Sequence, residues 1–406
     1  MRAVKGSRET PSGKMLAMGT PPPSNYANEI YLAGLGGTVP AWPTDPAALE
    51  EHARERVEAG PFWYAAGAAG AGATHRANLA AFDRWRIVPR MLADATARTS
   101  ATTLLGEAVP APVVTAPIGV QGIMHADGEL AVARVAAELG LPMAVSTVSS
   151  FTLEEIALAN GDGMRWFQLY WPNDEDVCAS LLARAAAAGY SALVVTLDTW
   201  LLGWRPHDLD QAYLPFLEGK GLANYFTDPA FRAGLQKAPE DDLFAALLRW
   251  LPIFSGQDKT WERIAFLREH WAGPILLKGI QHPDDARRAV DAGVQGIVVS
   301  NHGGRQVDGA IASLDALSEI VAAVGSQLEV LFDSGVRTGA DVIKAVALGA
   351  RAVLYGRPWV YGLALGGEDG VRHVLRCLLA DLDLGLALSG NSSLAGLGPH
   401  VLAPRP

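Results

Sequence analysis

The sequence predicts an α/β fold: a (β/α)8 TIM barrel of parallel strands with an N-terminal helical extension and a long insertion after strand four. Two observations predict the barrel. From Pro112 onward, short β-rich apolar runs alternate with longer Ala/Leu-rich stretches of helical period, the pattern of parallel strands joined by crossover helices. The period repeats eight times, which closes a barrel rather than an open sheet. A third observation points to function, because polar residues fall at the ends of six of these strands. Barrel architecture gathers strand ends on one face, where such enzymes keep their chemistry.

The strands read from the pattern are residues 113–116, 143–146, 166–169, 193–197, 275–278, 296–299, 330–332 and 352–355. Each is followed by a helix candidate, for example 173–188 and 283–292, rich in alanine and leucine with charges spaced for an outer ring. The period fails once, at 204–259, a stretch rich in aromatics, Pro and Asp. An excursion of that length reads as a lid or a disordered loop, and 207–258 is taken as the lid. Helices are expected at 46–59 and 74–82, plugging or flanking the barrel. The division that follows is a disordered leader over 1–24, a helical segment over 25–110, the barrel over 111–395 and a C-terminal tail over 396–406.

Composition narrows the function. Half of the 406 residues are hydrophobic, enough for a large core without disulfide or metal. A formal charge of −10 argues against a nucleic-acid partner, which would call for a basic footprint. Cys178 and Cys377 lie in helical patterns with no paired or metal-ligand spacing, so no metal is expected and a reducing cytoplasm fits. The leader has no apolar stretch of the kind a signal peptide needs, and no run approaches a membrane span.

At the strand ends stand Gln168 and Tyr170, Thr196 and Asp198, Lys278, Ser300 and His302, Asp333 and Arg337, and Gly356 and Arg357. In Ser300-Asn301-His302-Gly303-Gly304-Arg305-Gln306, a histidine able to change charge near neutrality precedes an arginine able to grip a carboxylate through two hydrogen bonds. Asp333-Ser334-Gly335-Val336-Arg337 and Gly356-Arg357 supply small residues, free N–H groups and cations where barrels seat phosphates, although such glycines also serve plain turns. Lys278 ends an apolar strand and requires an anionic neighbour, for which the negative edge of a reduced flavin is one candidate.

These segments, with Gln168-Leu169-Tyr170, Thr196-Leu197-Asp198-Thr199 and Leu277-Lys278-Gly279, resemble the FMN-dependent 2-hydroxy-acid oxidases and dehydrogenases over roughly residues 25 to 395. Within that family, Gln168-Leu169-Tyr170-Trp171-Pro172, Gly203-Trp204-Arg205-Pro206 and Asn224-Tyr225-Phe226-Thr227-Asp228-Pro229 are most similar to lactate 2-monooxygenases. The resemblance implies an FMN cofactor and an L-2-hydroxy acid, lactate foremost, oxidised to the keto acid with O2 as acceptor. Coupled decarboxylation follows if the keto acid stays bound, and free keto acid and peroxide if it leaves. A carrier-linked dehydrogenase acting on a larger hydroxy acid is the other enzyme class, and a barrel that merely binds a phosphorylated metabolite is the non-enzymatic one.

By motif, the resemblance further implies that His302 takes the substrate proton while Asp198 orients it. Arg205 and Arg305 hold the carboxylate, and Tyr64 and Tyr170 hydrogen-bond to it or to the hydroxyl. Lys278 stabilises reduced flavin; Ser146, Gln168, Thr196 and Ser300 lie by the ring. Backbone of Ala116 and Pro117 passes beside it, and Asp333, Gly335, Arg337, Gly356 and Arg357 bind ribityl and phosphate. Val148 lines the substrate side-chain pocket. A homo-oligomer, tetramer or octamer, is implied too.

Two stretches depart from the family pattern. The loop 65–72 is all Ala and Gly where relatives usually carry acidic residues, so greater flexibility is expected there. Residues 148–152 also differ, which leaves substrate choice open. Tyr64 follows Phe62-Trp63 and could be a packing aromatic, and Tyr213, Phe216, Tyr225 and Phe226 could cap the site or pack on the barrel rim.

Overall fold

A computed structural model of the protein describes residues 21–256 and 259–405. Eight parallel strands close into a barrel: β1 (Val113–Thr115), β2 (Met143–Ser146), β3 (Arg165–Tyr170), β4 (Ala192–Thr196), β5 (Ile275–Ile280), β6 (Gly296–Val299), β7 (Glu329–Phe332) and β8 (Val353–Tyr355). Each strand pairs with its sequence neighbours, and β8 returns to β1 through Tyr355 opposite Thr115. Register sets the height of the polar strand ends. Ser146 lies opposite Gln168, and Tyr170, Thr196 and Lys278 stand side by side across three strands.

Alternation explains the two cores. Val114, Ala144, Trp166, Val194, Leu276, Val298, Leu331 and Leu354 point inward and fill the barrel. Their chain neighbours, such as Val113, Val145, Leu193, Leu277 and Ile297, point outward and pack under the helical ring. The lower end is closed by a β-hairpin, Thr102–Leu104 with Glu107–Val109, which drives Leu104 and Val109 into the interior cluster. Of the two roles expected for 46–59 and 74–82, plugging or flanking the barrel, the helices there take the second. A 46–59 helix does not form as one piece: Val57 is extended (φ −88°, ψ 141°) and separates Pro46–Arg56 from Ala59–Ala66. Pro46–Arg56 packs on the C-terminal helix Arg357–Ser389, which kinks at Gly366 and Gly367, while Ala73–Asp83 runs beside the loop that carries His302.

Most of the leader expected over 1–24 lies outside the described residues. Its last residue, Ser24, is anchored: its N–H donates to Asp383 Oδ2 at 3.2 Å and its Oγ accepts from Arg98 at 3.0 Å.

The insertion after β4 is an ordered cap rather than a loop. It holds helices Pro206–Asp210, Ala223–Phe226, Pro229–Ala233 and Leu243–Phe254 around a core of Phe216, Tyr225, Phe231 and Trp250, each at most 2% exposed. Asp228 fastens it to the barrel ring, capping Pro229–Ala233 through Ala230 N and Phe231 N and accepting from Ser180 Oγ at 2.8 Å and Arg184 at 3.1 Å. Trp250 stacks on Phe254 at 4.8 Å. Trp250→Ala is therefore expected to lower the stability of the cap by about 3–5 kcal/mol, the range for large aromatic truncations. Limited proteolysis should then cut first within 207–256, a stretch expected to resist in the parent.

Candidate active site

At the C-terminal face of the barrel the loops and the cap enclose a cleft of about 1230 Å³, its mouth included. Tyr64, Ala116, Pro117, Val148, Tyr170, Thr196, Arg205, Lys278, His302, Arg305, Asp333, Gly335, Arg337, Gly356 and Arg357 all line it. Ser146, Gln168, Asp198 and Ser300 do not line it but hold residues that do, or the loops that carry them. Gln168 Nε2 donates to Thr196 Oγ1 at 2.8 Å, Ser146 Oγ accepts from Val148 N at 3.2 Å, and Ser300 Oγ accepts from Lys278 Nζ at 2.9 Å.

His302 sits in a left-handed backbone conformation (φ 59°), a strained state for a residue with a side chain, at the turn between β6 and the short 3-10 segment His302–Gly304. Its Nδ1 lies 2.8 Å from Asp198 Oδ1 and 2.9 Å from Thr199 Oγ1, so Nδ1 carries the proton toward the carboxylate and Nε2 is left as the basic nitrogen. Gly279 (φ 111°) allows this pairing, because a Cβ there would stand 3.0 Å from the Asp198 side chain. Burial pushes the His302 pKa below its usual value, Asp198 draws it partly back, and Lys278 and Arg205 press it down again. Burial also opposes ionisation of Asp198, yet the pull of a protonated His302, of Lys278 and of the hydrogen bonds from His302 and Thr199 outweighs it and holds that carboxyl at about 2, below the histidine, so the imidazole loses its proton first as pH rises. The resting pair is thus a neutral imidazole on a carboxylate.

Lys278 meets its anion within the protein: Nζ lies 2.9 Å from Asp333 Oδ2. Burial disfavours the ammonium, but Asp333 and Asp198 more than compensate and its pKa is raised. The lysine therefore stays charged at the cleft wall whatever binds there.

The arginines have no such partner. Arg205 donates to Arg305 O and Gln306 Oε1, Arg337 to Val336 O, and Arg305 and Arg357 both to the carbonyls of Ala65 and Gly67 at the end of helix Ala59–Ala66. Arg357 adds Gly303 O. Among the described residues none of the four forms an ion pair with a carboxylate. Burial, then Arg205 and Arg357, push Arg305 down to about 9; burial is also the main force that brings Arg357 down to about 10. Arg205 is buried and the other three are half-buried, and guanidinium groups held against one another in this way call for anions from outside the chain. One carboxylate beside Arg205 and Arg305 and one phosphate near Arg337 and Arg357 would satisfy the set, and the polar wall of Thr196, held by Gln168, and Lys278 suits a heteroaromatic ring with a polar edge.

The Ala/Gly stretch 65–72 is tied to its surroundings by backbone hydrogen bonds. Ala69 N donates to Gly304 O, Gly70 N to Trp204 O and Ala71 N to Asp308 Oδ2. Gly70 (φ 53°) lets Asp308 approach, since a Cβ would fall 2.6 Å from its carboxylate. Tyr64 packs edge-on to Phe216 and Tyr213 with the Arg305 guanidinium 5.4 Å from its ring centre, and Tyr170 packs on Phe254. Phe216 and Phe254 line the cleft, whereas Tyr225 belongs to the cap core. Trp63 stacks on His207 with centroids 3.8 Å apart, joining the helix that carries Tyr64 to the cap helix that follows Arg205. His207→Ala removes a contact worth about 0.5–1.5 kcal/mol. The expected result is a KM raised roughly 2- to 10-fold at unchanged kcat, read by steady-state kinetics.

Sequence reasoning gave no role to several residues that shape the site. Gln306 accepts from Arg205 and Gly203 N and donates to Asp198 O at 2.7 Å and Leu201 O at 2.8 Å, locking the loop after β4 to the histidine segment. Asn78 and Asn301 exchange amide hydrogen bonds at 2.7 and 2.8 Å, and Ser334 Oγ accepts from Gly303 N. Gln306 stood inside a motif already singled out. Asn78, over two hundred residues away, had no signal.

The family model described as FMN-dependent dehydrogenase matches residues 53–404. The chain is 51% identical over 381 residues to the FMN-dependent alpha-hydroxy acid dehydrogenase qulF of Penicillium citrinum, covering 92% of this chain and 95% of the relative. It is 44% identical over 369 residues to an L-lactate oxidase of Lysinibacillus sphaericus, covering 91% and 95%. A crystal structure of mandelate oxidase superposes with a TM-score of 0.78 at 40% identity, over 89% of this chain and 98% of that one. Matches of this extent run through every strand of the barrel and every cleft loop described above, so the chain belongs to the FMN-dependent dehydrogenase family and is an FMN-dependent 2-hydroxy-acid oxidoreductase.

Proposed function

We propose that the substrate is an L-2-hydroxy acid, L-lactate foremost, oxidised to its 2-keto acid with O2 as the second substrate, and that the keto acid is decarboxylated while still enclosed. The observation that carries the reading is the convergence of two guanidiniums without a carboxylate partner, buried Arg205 and half-buried Arg305, with the neutral imidazole of His302 on the Asp198 carboxylate. A 2-hydroxy acid offers a carboxylate for the first and a removable proton for the second.

In this reading Arg205 and Arg305 hold the carboxylate. Tyr64 and Tyr170, whose hydroxyls burial keeps protonated, donate to the carboxylate and to the hydroxyl oxygen. His302 accepts the proton at Nε2, and Asp198 balances the imidazolium that forms. FMN, when bound, supplies the two-electron acceptor. Lys278 keeps a positive charge beside the ring together with Ser146, Gln168, Thr196, Ser300 and the backbone of Ala116 and Pro117, and Asp333, Gly335, Arg337, Gly356 and Arg357 hold its ribityl phosphate. Val148 faces the substrate side chain, and the cap keeps water out while product remains.

A second reading has its own support. Val148, Leu202, Phe216 and Phe254 make an apolar wall, which suits a larger side chain, and mandelate oxidases are among the similar structures. It would pair with a carrier protein or quinone as acceptor. We place the enzyme in the cytoplasm as a homotetramer; among the described residues no helix is long and apolar enough to cross a membrane. The deciding experiment is the absorbance spectrum of the purified yellow protein during anaerobic addition of L-lactate, then of L-mandelate. Bleaching by lactate, with acetate and carbon dioxide as products in air, is expected. Free pyruvate with peroxide would exclude the coupled route, and bleaching by mandelate alone would move the assignment to the second reading.

A further inference from the structure

The loops after β1 and β2 form one wall of the cleft, through Val120, Gln121 and Val148, and a single carboxyl group joins them. Glu129, in the first turn of helix Gly128–Glu138, is fully buried. Its Oε1 accepts from Gln121 N and from Ser150 N, both at 3.0 Å. Val120 N donates to Val148 O at 2.8 Å, and Gly122 N donates to Ser150 Oγ at 2.8 Å. Two of these four links across the loops end on one carboxyl oxygen. The other oxygen, Oε2, is buried without a partner. An acceptor of fixed charge would hold the two amides equally at any pH, whereas a carboxyl with a free oxygen alters its grip by taking a proton there.

We propose that Glu129 is a positioning residue: ionised, it draws the Gln121 and Ser150 amides together and holds the wall formed by Val120, Gln121 and Val148 against the bound flavin and hydroxy acid; protonated, it lets that wall loosen. The inference rests on the hydroxy-acid reading of the cleft.

Burial pushes the Glu129 carboxyl up to about 7, against the pull of its N–H donors, so its charge changes in the neutral range. Charged groups on the surrounding elements are engaged elsewhere. His125 and Asp127 of the preceding loop face each other; Arg134 and Glu138 of its own helix pair with Glu368 and Arg372 of helix Arg357–Ser389, where Asp369 also binds Arg372. In helix Leu153–Asn160, Glu154 pairs with Arg184 and Glu155 caps at Thr152. The sign follows: the ionised, gripping form prevails above about pH 7 and is lost below it.

The test uses hydrogen–deuterium exchange of the FMN-loaded enzyme at pH 6 and pH 8, corrected for intrinsic exchange. Protection of the Gln121 and Ser150 amides is expected to be roughly fivefold greater at pH 8, the factor for charge-assisted bonds becoming neutral ones. In parallel, kcat/KM of the parent should show an inflection near pH 7 that E129Q lacks, with the His302 inflection at lower pH kept and flavin retained. Equal protection at the two pH values, or an inflection near pH 7 persisting in E129Q, would overturn the proposal. Should E129Q not fold, the exchange measurement on the parent decides alone. A parent enzyme that no 2-hydroxy acid bleaches would sink the substrate reading and leave the exchange result standing.

Discussion

His302→Ala is expected to purify yellow and to lose reduction by hydroxy acid, with anaerobic bleaching slowed by roughly 10²–10⁴-fold, the range for a removed general base. The variant should keep its flavin because the cations at the phosphate end stand on other loops: Arg337 after β7 and Arg357 after β8. Asp198→Asn probes the same pair more finely. Losing the carboxylate removes the one influence that raises the His302 pKa and the acceptor that fixes Nδ1 as the protonated nitrogen. The pH profile supplies the sign. A base works only when deprotonated, so kcat/KM of the parent should rise with pH through a value below the usual 6.5 of histidine, and Asp198→Asn should shift that rise lower still. Stopped-flow reduction at 450 nm across pH 4.5–8 is the measurement (roughly the histidine range). Normal bleaching of His302→Ala would assign the base elsewhere.

Arg305→Leu should have the next largest effect, and in two opposite directions. Catalysis falls, because a carboxylate brought into the cleft loses one of its two cations, a loss of about 2–5 kcal/mol for such pairs. Stability of the substrate-free protein, by contrast, should be kept or raised. Arg305, half-buried, stands against Arg205 and Arg357 with no carboxylate partner, and its depressed pKa means that the folded state holds this charge less readily than the unfolded chain does. Removing it relieves that opposition. A keto-acid product analogue should accordingly raise the Tm of the parent by more than that of the variant. A variant that loses both activity and Tm would show that Arg305 acts mainly as a packing element, through its stacking on Tyr64 and its bonds to Ala65 and Gly67.

The barrel was legible because its signal is periodic and local: all eight strands lie within a residue or two of the apolar runs that announced them. The cleft residues were legible for a related reason, since strand ends converge whatever the intervening chain does. What stayed hidden depends on partners distant in sequence. Lys278 called for an anion, and nothing in its neighbourhood said that Asp333 would provide it. The break at Val57 was hidden by helix-forming residues on both sides, yet it creates the short helix that carries Tyr64 and offers its last carbonyls to Arg305 and Arg357. Of the two sequence readings of the insertion, a lid or a disordered loop, the second fails because its aromatic core, without helical period in the sequence, orders the described part of it. The Glu129 brace left no trace, as its two donors are backbone amides.

One feature of the cap bears on how such enzymes diversify. In the proposed reading, proton removal and flavin stabilisation draw on His302 and Lys278, both borne by the barrel, whereas Phe216 and Phe254 reach the cleft from a separately cored excursion. Selection acting on that excursion can retune which molecules are admitted while the redox apparatus beneath stays intact. Grafting 207–256 between relatives is thus a route to altered selectivity at preserved flavin chemistry.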